Sequence, residues 1–151
     1  MNLYNLHSDP KSLDHHDEAH ESVPKLTWKR YQGDDEEMMK REHIWAKDPW
    51  CSYTYADEVI NGPFKLGEVV IAKDAQYSYN YAKDILNGPF KLGEAAIAKH
   101  GFYSYLYARN ILKGPFKLGE PEIAKDHLTS PVYAKHILHL PTTDEQYDWG
   151  K

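Results

Sequence analysis

The chain has 151 residues, 41% of them hydrophobic and 27% charged, with a formal net charge of -5 at pH 7, which allows one domain of ordinary globular make-up. No apolar run approaches the roughly 18 residues needed to cross a membrane, and the polar start Met1-Asn2-Leu3-Tyr4-Asn5-Leu6-His7 has no basic stretch leading into an apolar one, so a cytoplasmic protein is expected. Charge is concentrated at the ends: residues 1–42 carry 6 basic and 10 acidic groups, residues 43–141 carry 11 and 10, and residues 142–151 carry 1 and 3. Without a basic excess, capture of nucleic acid by phosphate neutralisation loses its main driving force.

In chain order, residues 9–21 are polar and His-rich, and Val23-Pro24-Lys25-Leu26-Thr27-Trp28 predicts a helix start. The run Gly33-Asp34-Asp35-Glu36-Glu37 is expected to interrupt it before Met38 and Met39 resume. Residues 23–48 span about one period of the repeat that occupies residues 42–141, so residues 1–41 are assigned as a polar N-terminal segment with a degenerate capping repeat.

From residue 42 to 141 one pattern recurs every 26 residues. Ser52-Tyr53-Thr54-Tyr55-Ala56, Gly62-Pro63-Phe64-Lys65-Leu66-Gly67-Glu68 and Ile71-Ala72-Lys73-Asp74 return from Ser78 and again from Ser104. Partial copies flank them at Glu42, Ala46, Lys47 and Asp48 and at Ser130, Tyr133, Ala134, Lys135, Ile137, Leu138 and Pro141. A fixed period of this length marks a stacked-repeat protein, in which each unit buries its apolar face against its neighbours.

Each unit reads as two helices. Asp48 caps the longer one, with Pro49 at the first helical position, where its missing donor costs nothing. The helix stops at Asn61-Gly62-Pro63, with Gly62 expected in the left-handed conformation, and the stop recurs at Gly88-Pro89 and Gly114-Pro115. In the last copy Ser130-Pro131 offers a cap and first-position pair, placing that start later. The shorter helix follows Gly67, with Glu68 favoured in its first turn by the helix dipole, and runs only to about Ala72 or Lys73. At under two turns it depends on tertiary packing.

Taking Ala56 as the centre of the long helix, a step of about 100° puts Ser52, Tyr53, Val59 and Ile60 within about 60° of it, and these are the positions the copies keep. They are expected in the core. The far side drifts from Thr54 to Asn80, Leu106 and Val132, and from Glu58 to Asp84, Asn110 and His136. That stripe is assigned to solvent or to a partner. The acidic tail, residues 142–151, carries Tyr147 and Trp149, which are expected to cover the last layer.

Chemistry-bearing residues are few. His16 and His20 are spaced for one helix face, but a metalloprotease helix needs Glu directly after its first His, and Asp17 stands there. No metal is expected. The lone Cys51 reads as a small buried hydrophobe. Tyr55, Tyr81, Tyr107 and Tyr133, at the edge of the buried stripe, either fill grooves between layers or stack bases beside Lys83, Arg109 and Lys135. Lys47, Lys73, Lys99 and Lys125 form one column beside Glu42, Glu68, Glu94 and Glu120, read as surface ion pairing with an anion ladder as the alternative. No nucleophile elbow, phosphate loop, paired catalytic carboxylates or dinucleotide fingerprint appears, so neither an enzyme nor a cofactor is expected.

The unit Tyr-Ala-Lys/Arg-x-Ile-Leu-x-Gly-Pro-Phe-Lys-Leu-Gly-Glu-x-x-Ile-Ala-Lys-Asp, with the opening Leu6-His7-Ser8-Asp9-Pro10, resembles short helical-repeat proteins encoded by tailed bacteriophages, with related repeats in giant viruses. The resemblance covers most of the chain, weakly over residues 11–40 and the tail, and implies an accessory viral protein acting in a bacterial host cytoplasm. It carries no shared activity onto these residues. The expected fold is all-α, a short α-solenoid of tandem two-helix repeats with degenerate capping units. The expected function is non-enzymatic binding, and possible inhibition, of a host protein such as a defence or regulatory factor. The contacts are assigned to Thr54, Asn80, Leu106, Val132, Glu58, Asp84, Asn110 and His136, or to Trp28 and Met38 in the front segment. The alternatives are a nucleic-acid or nucleotide binder using the Tyr and Lys ladders, and a self-assembling structural protein.

Overall fold

Eight short α-helices follow one another in a computed structural model that describes residues 35–140, all within one unit of the chain, Gly33–Lys151. The helix start at residues 23–28, the His16/His20 pair and the tail aromatics Tyr147 and Trp149 lie outside the described residues. Among the described residues every regular element is helical.

Helix α1 spans Asp35–Trp45. The expected interruption therefore ends earlier than residue 37, because Asp35, Glu36 and Glu37 occupy a first turn, where the helix dipole favours negative charge. Helix α2 runs Pro49–Tyr55 and widens into a π-helical segment, Ala56–Ile60. The short α3 is Glu68–Ile71. The pattern repeats as α4, Ala75–Asn80, with its π segment Tyr81–Ile85, then a 3₁₀ turn Lys91–Gly93 and α5, Glu94–Ile97. It repeats again as α6, Gly101–Tyr107, with Ala108–Leu112, and α7, Glu120–Lys125. The last helix, α8, is Thr129–His136.

The first start follows the expected cap, and two of the later ones depart from the pattern. Asp48 accepts the Cys51 N–H at 2.8 Å, Asp74 accepts the Tyr77 N–H at 2.9 Å, and Asp126 accepts those of Leu128 and Thr129 at 2.9 and 3.1 Å. Asp126, not Ser130, therefore organises the last start. His100 holds the same extended backbone, φ -130° and ψ 112°, but makes no capping bond.

The stops differ from expectation. No glycine among the described residues has positive φ; the left-handed residues are Asn61, Asn87, Lys113 and His139, one place earlier and 26 apart. The reason is hydrogen bonding. Gly62, Gly88 and Gly114 send their N–H back to the carbonyls of Ala56, Ala82 and Ala108 at 3.0, 3.0 and 3.2 Å, and Leu140 does the same to Ala134 at 3.0 Å. Closing that wide turn forces the reversal onto the preceding residue. It also takes the end of the helix off the α-helical phase. Val59 and Ile60, expected in the core, are 36% and 39% exposed, and Tyr53, expected there too, is half-buried.

The core is a set of columns. Ala56, Ala82, Ala108 and Ala134 are buried, as are Tyr55, Tyr81, Tyr107 and Tyr133, Phe64, Phe90 and Phe116, and Ile71, Ile97 and Ile123, with Trp45 at the equivalent earlier place. Each long helix packs on the next, α2 on α4, α4 on α6 and α6 on α8, and α3, α5 and α7 lie against α2, α4 and α6. Gly67 is explained by this packing rather than by capping. A Cβ there would lie 2.5 Å from Phe64 Cδ1 and 2.6 Å from Ser52 Cβ, and Gly93 and Gly119 meet Phe90 with Ser78 and Phe116 with Ser104 as closely. The serines use that proximity, since Ser52, Ser78 and Ser104 donate to the carbonyls of Trp45, Ile71 and Ile97, each at 2.9 Å.

Candidate partner-binding surface

The tyrosines expected at the edge of the buried stripe lie inside it. The Tyr81 hydroxyl donates to Glu68 Oε1 at 3.0 Å and accepts the Phe64 backbone N–H at 2.9 Å. Tyr107 does the same with Glu94 and Phe90, at 2.9 and 3.0 Å, and Tyr133 with Glu120 and Phe116, both at 2.9 Å. Tyr55 donates to Glu42 at 2.7 Å. Every bond reaches back into the preceding 26-residue unit, so the hydroxyl joins neighbours, and the rings of Tyr55, Tyr81 and Tyr107 pack against the phenylalanine of their own unit. Ring centroids are 5.0 Å apart for Tyr81 and Phe90 and 5.1 Å for Tyr107 and Phe116. Burial first, with the adjacent Glu68 and Glu94 carboxylates, pushes the Tyr81 and Tyr107 hydroxyls well above the ordinary tyrosine range. These rings are closed to base stacking.

The same carboxylates take the lysines of the linking loop. Lys65, Lys91 and Lys117 reach Glu68, Glu94 and Glu120 at 2.8, 2.9 and 3.2 Å. The glutamate column is therefore paired by these three, not by Lys73 and Lys99, and Lys125 pairs with Glu122 at 2.6 Å. Loop geometry decides this. Three residues upstream of Glu68, at the foot of its helix, the Lys65 amine is in reach.

The stripe assigned to a partner is divided. Thr54 is buried, 9% exposed, and Asn80, Leu106 and Val132 are half-buried, so this row lies between helices rather than outside them. Glu58, Asp84 and His136 are exposed and Asn110 is half-buried. Two of these serve internal bonds: Tyr53 donates to Asp84 at 3.1 Å, and Asn110 Nδ2 donates to the Tyr79 hydroxyl at 2.7 Å. The Tyr53 and Tyr77 rings lie 6.0 Å apart, and Tyr79 and Tyr103 lie 6.2 Å apart, so these aromatics also face one another. Trp28 and the side chain of Met38 lie outside the described residues. Cys51 is fully buried as expected, and burial, reinforced by Asp48, pushes its thiol up to about 12. Among the described residues no group of three or more His, Cys, Asp or Glu is placed to hold a metal ion.

What residue reasoning missed is a row of exposed leucines. Leu66, Leu92 and Leu118 are 44%, 55% and 57% exposed, one per unit, each directly after its paired lysine. They were legible as an anomaly, since all three copies keep a large apolar residue between the two predicted helices rather than on a face of either. A second exposed row, Trp50, Phe102 and Leu128, is broken by Gln76. The leucine row is unbroken.

No family model matches this chain, nor does any curated protein or solved structure. Among the described residues no helix is long and apolar enough to cross a membrane.

Proposed function

We propose that the protein is a non-enzymatic binding protein, a short α-solenoid that presents one broad side to a protein partner. The successive packing of α2, α4, α6 and α8, joined by tyrosine bonds at constant offsets, supports the stacked arrangement. The observation that carries the binding reading is the unbroken row Leu66, Leu92 and Leu118. A folded protein gains nothing by holding three large apolar side chains in water at one repeated place, and such rows mark interaction sites. The resemblance to phage-encoded repeats supplies the setting, a bacterial host cytoplasm, and the kind of target, a host defence or regulatory protein that is inhibited by being bound.

Affinity capture from bacterial lysate tests this reading. The wild-type chain should retain a protein whether or not nuclease is present, and the combined variant Leu66→Ser, Leu92→Ser, Leu118→Ser should lose it while keeping its helical circular dichroism. Retention that vanishes with nuclease would sink the reading in favour of nucleic acid.

A further inference from the structure

We infer that the partner lays an acidic amphipathic helix along the leucine row, an inference that rests on the binding reading above and names the chemistry of the bound element. The first argument is charge. In each loop pair the two members are buried very unequally. Glu68, Glu94 and Glu120 are 15%, 16% and 18% exposed, whereas Lys65, Lys91 and Lys117 are 78%, 76% and 79% exposed. Each carboxylate is further screened by the tyrosine hydroxyl it accepts. The outward face of every pair is therefore its ammonium group. A visitor to Leu66, Leu92 and Leu118 meets three cations standing beside three apolar side chains.

The second argument is spacing. Packed helices lie roughly 8–10 Å apart, so successive units of the row advance by about that distance. Seven residues of an α-helix rise about 10.5 Å. A bound helix with one apolar residue in each heptad can therefore meet one leucine per unit, with acidic residues on either side of that stripe meeting the lysines. One turn beyond each leucine the row continues with Val69, Ala95 and Pro121, all exposed, which gives the helix a small apolar neighbour on its other side.

The competing occupants fit less well. A lipid surface is matched by a broad apolar face, and this strip is at most two side chains wide, with Lys65, Lys91 and Lys117 beside it. An added strand needs a free sheet edge, and the described residues contain none. Nucleic acid would need exposed rings to stack on, and Phe64, Phe90 and Phe116 in the same motif are buried.

Fluorescence anisotropy with three synthetic helical peptides of about three heptads tests the inference. All carry leucine at every seventh position, flanked by glutamate, lysine or glutamine. The full-length chain should bind the glutamate peptide about tenfold more tightly than the lysine peptide, the effect expected of three exposed ion pairs. The combined Leu66→Ser, Leu92→Ser, Leu118→Ser variant should lose about a hundredfold or more. Lys65→Gln, Lys91→Gln and Lys117→Gln together should remove the preference for glutamate with circular dichroism unchanged. If the lysine or glutamine peptide binds as well as the glutamate peptide, and does so through the leucines, the acidic helix is overturned while a protein-binding row stands. If the leucines instead mediate self-association in light scattering, or retention on anionic vesicles, the inference is overturned in favour of a second copy or a lipid surface. If no peptide binding depends on the leucines while capture of the lysate protein still does, the acidic helix alone is overturned; if that capture is also indifferent to the leucines, the binding reading falls as well.

Discussion

The Tyr107 hydroxyl donates to Glu94 Oε1 at 2.9 Å, across thirteen residues of sequence and into the preceding unit. The Tyr107 hydroxyl oxygen also accepts the Phe90 N–H at 3.0 Å, so one phenol satisfies a buried amide and a half-buried carboxylate together. Tyr107→Phe removes both bonds and orphans the amide. A hydrogen bond to a charged group contributes about 1.5–3 kcal/mol and an unsatisfied buried amide costs about 1–3 kcal/mol, so the expected loss is about 2.5–6 kcal/mol by urea unfolding. Tyr103→Phe is the control, and a larger loss there would contradict the assignment.

Gly93 is held between Phe90 and Ser78, and a Cβ placed on it would come within 2.6 Å of both side chains. Gly93→Ala should cost about 1–3 kcal/mol through overpacking, although alanine is the better helix former. Gly88→Ala, whose Cβ meets only the Leu86 carbonyl at 3.7 Å, should cost clearly less. Thermal melts of the two variants side by side decide the order.

His100 has the backbone of a cap without the capping bond. His100→Asp should supply what Asp48, Asp74 and Asp126 supply elsewhere, stabilising the fold by about 0.5–2 kcal/mol. The melting temperature should rise by about 2–8 °C. An unchanged or lower value would mean that the His100 ring contact with Tyr103, at 6.2 Å, contributes more than the absent cap.

Alkaline pH should unfold the protein by way of its tyrosines. Tyr81, Tyr107 and Tyr133 have an ordinary value of 10.0, and burial raises each in the folded state. The folded chain therefore holds these protons where the unfolded chain releases them. Stability is complete below pH 10 and is lost as pH rises beyond it toward the raised folded values. Tyrosinate absorbance followed against circular dichroism should show these rings ionising only as helix is lost. Full ionisation with the helices intact would contradict their burial.

The period of 26, the Asp48 cap, the place of the Gly-Pro stops and the all-helical class were legible because each depends on a few neighbouring residues, whereas the cap at Asp126 and the left-handed residue before each glycine were not. Ala56, Ser52 and Cys51 were placed in the core by phase and residue type alone, and they lie there. Helical phase failed at Val59 and Ile60, where the carbonyl of Ala56 draws back the N–H of Gly62 and the turn widens. It also failed for Thr54, because a long helix flanked on both sides by others buries more of its circumference than a single stripe; the Tyr81 column, read as either groove-filling or base-stacking, fills the grooves.

Local residue order therefore set the unit, its two helices and the number of copies. Which of the repeated residues serve packing depends on how one unit meets the next. Gly67 and Leu66 are adjacent, equally repeated and both outside a helix, yet one is pressed against Ser52 while the other stands in solvent. Repetition records that a position matters in every unit. Burial, which depends on what the neighbouring unit brings against that position, is a property of the assembled pair and is absent from either copy alone.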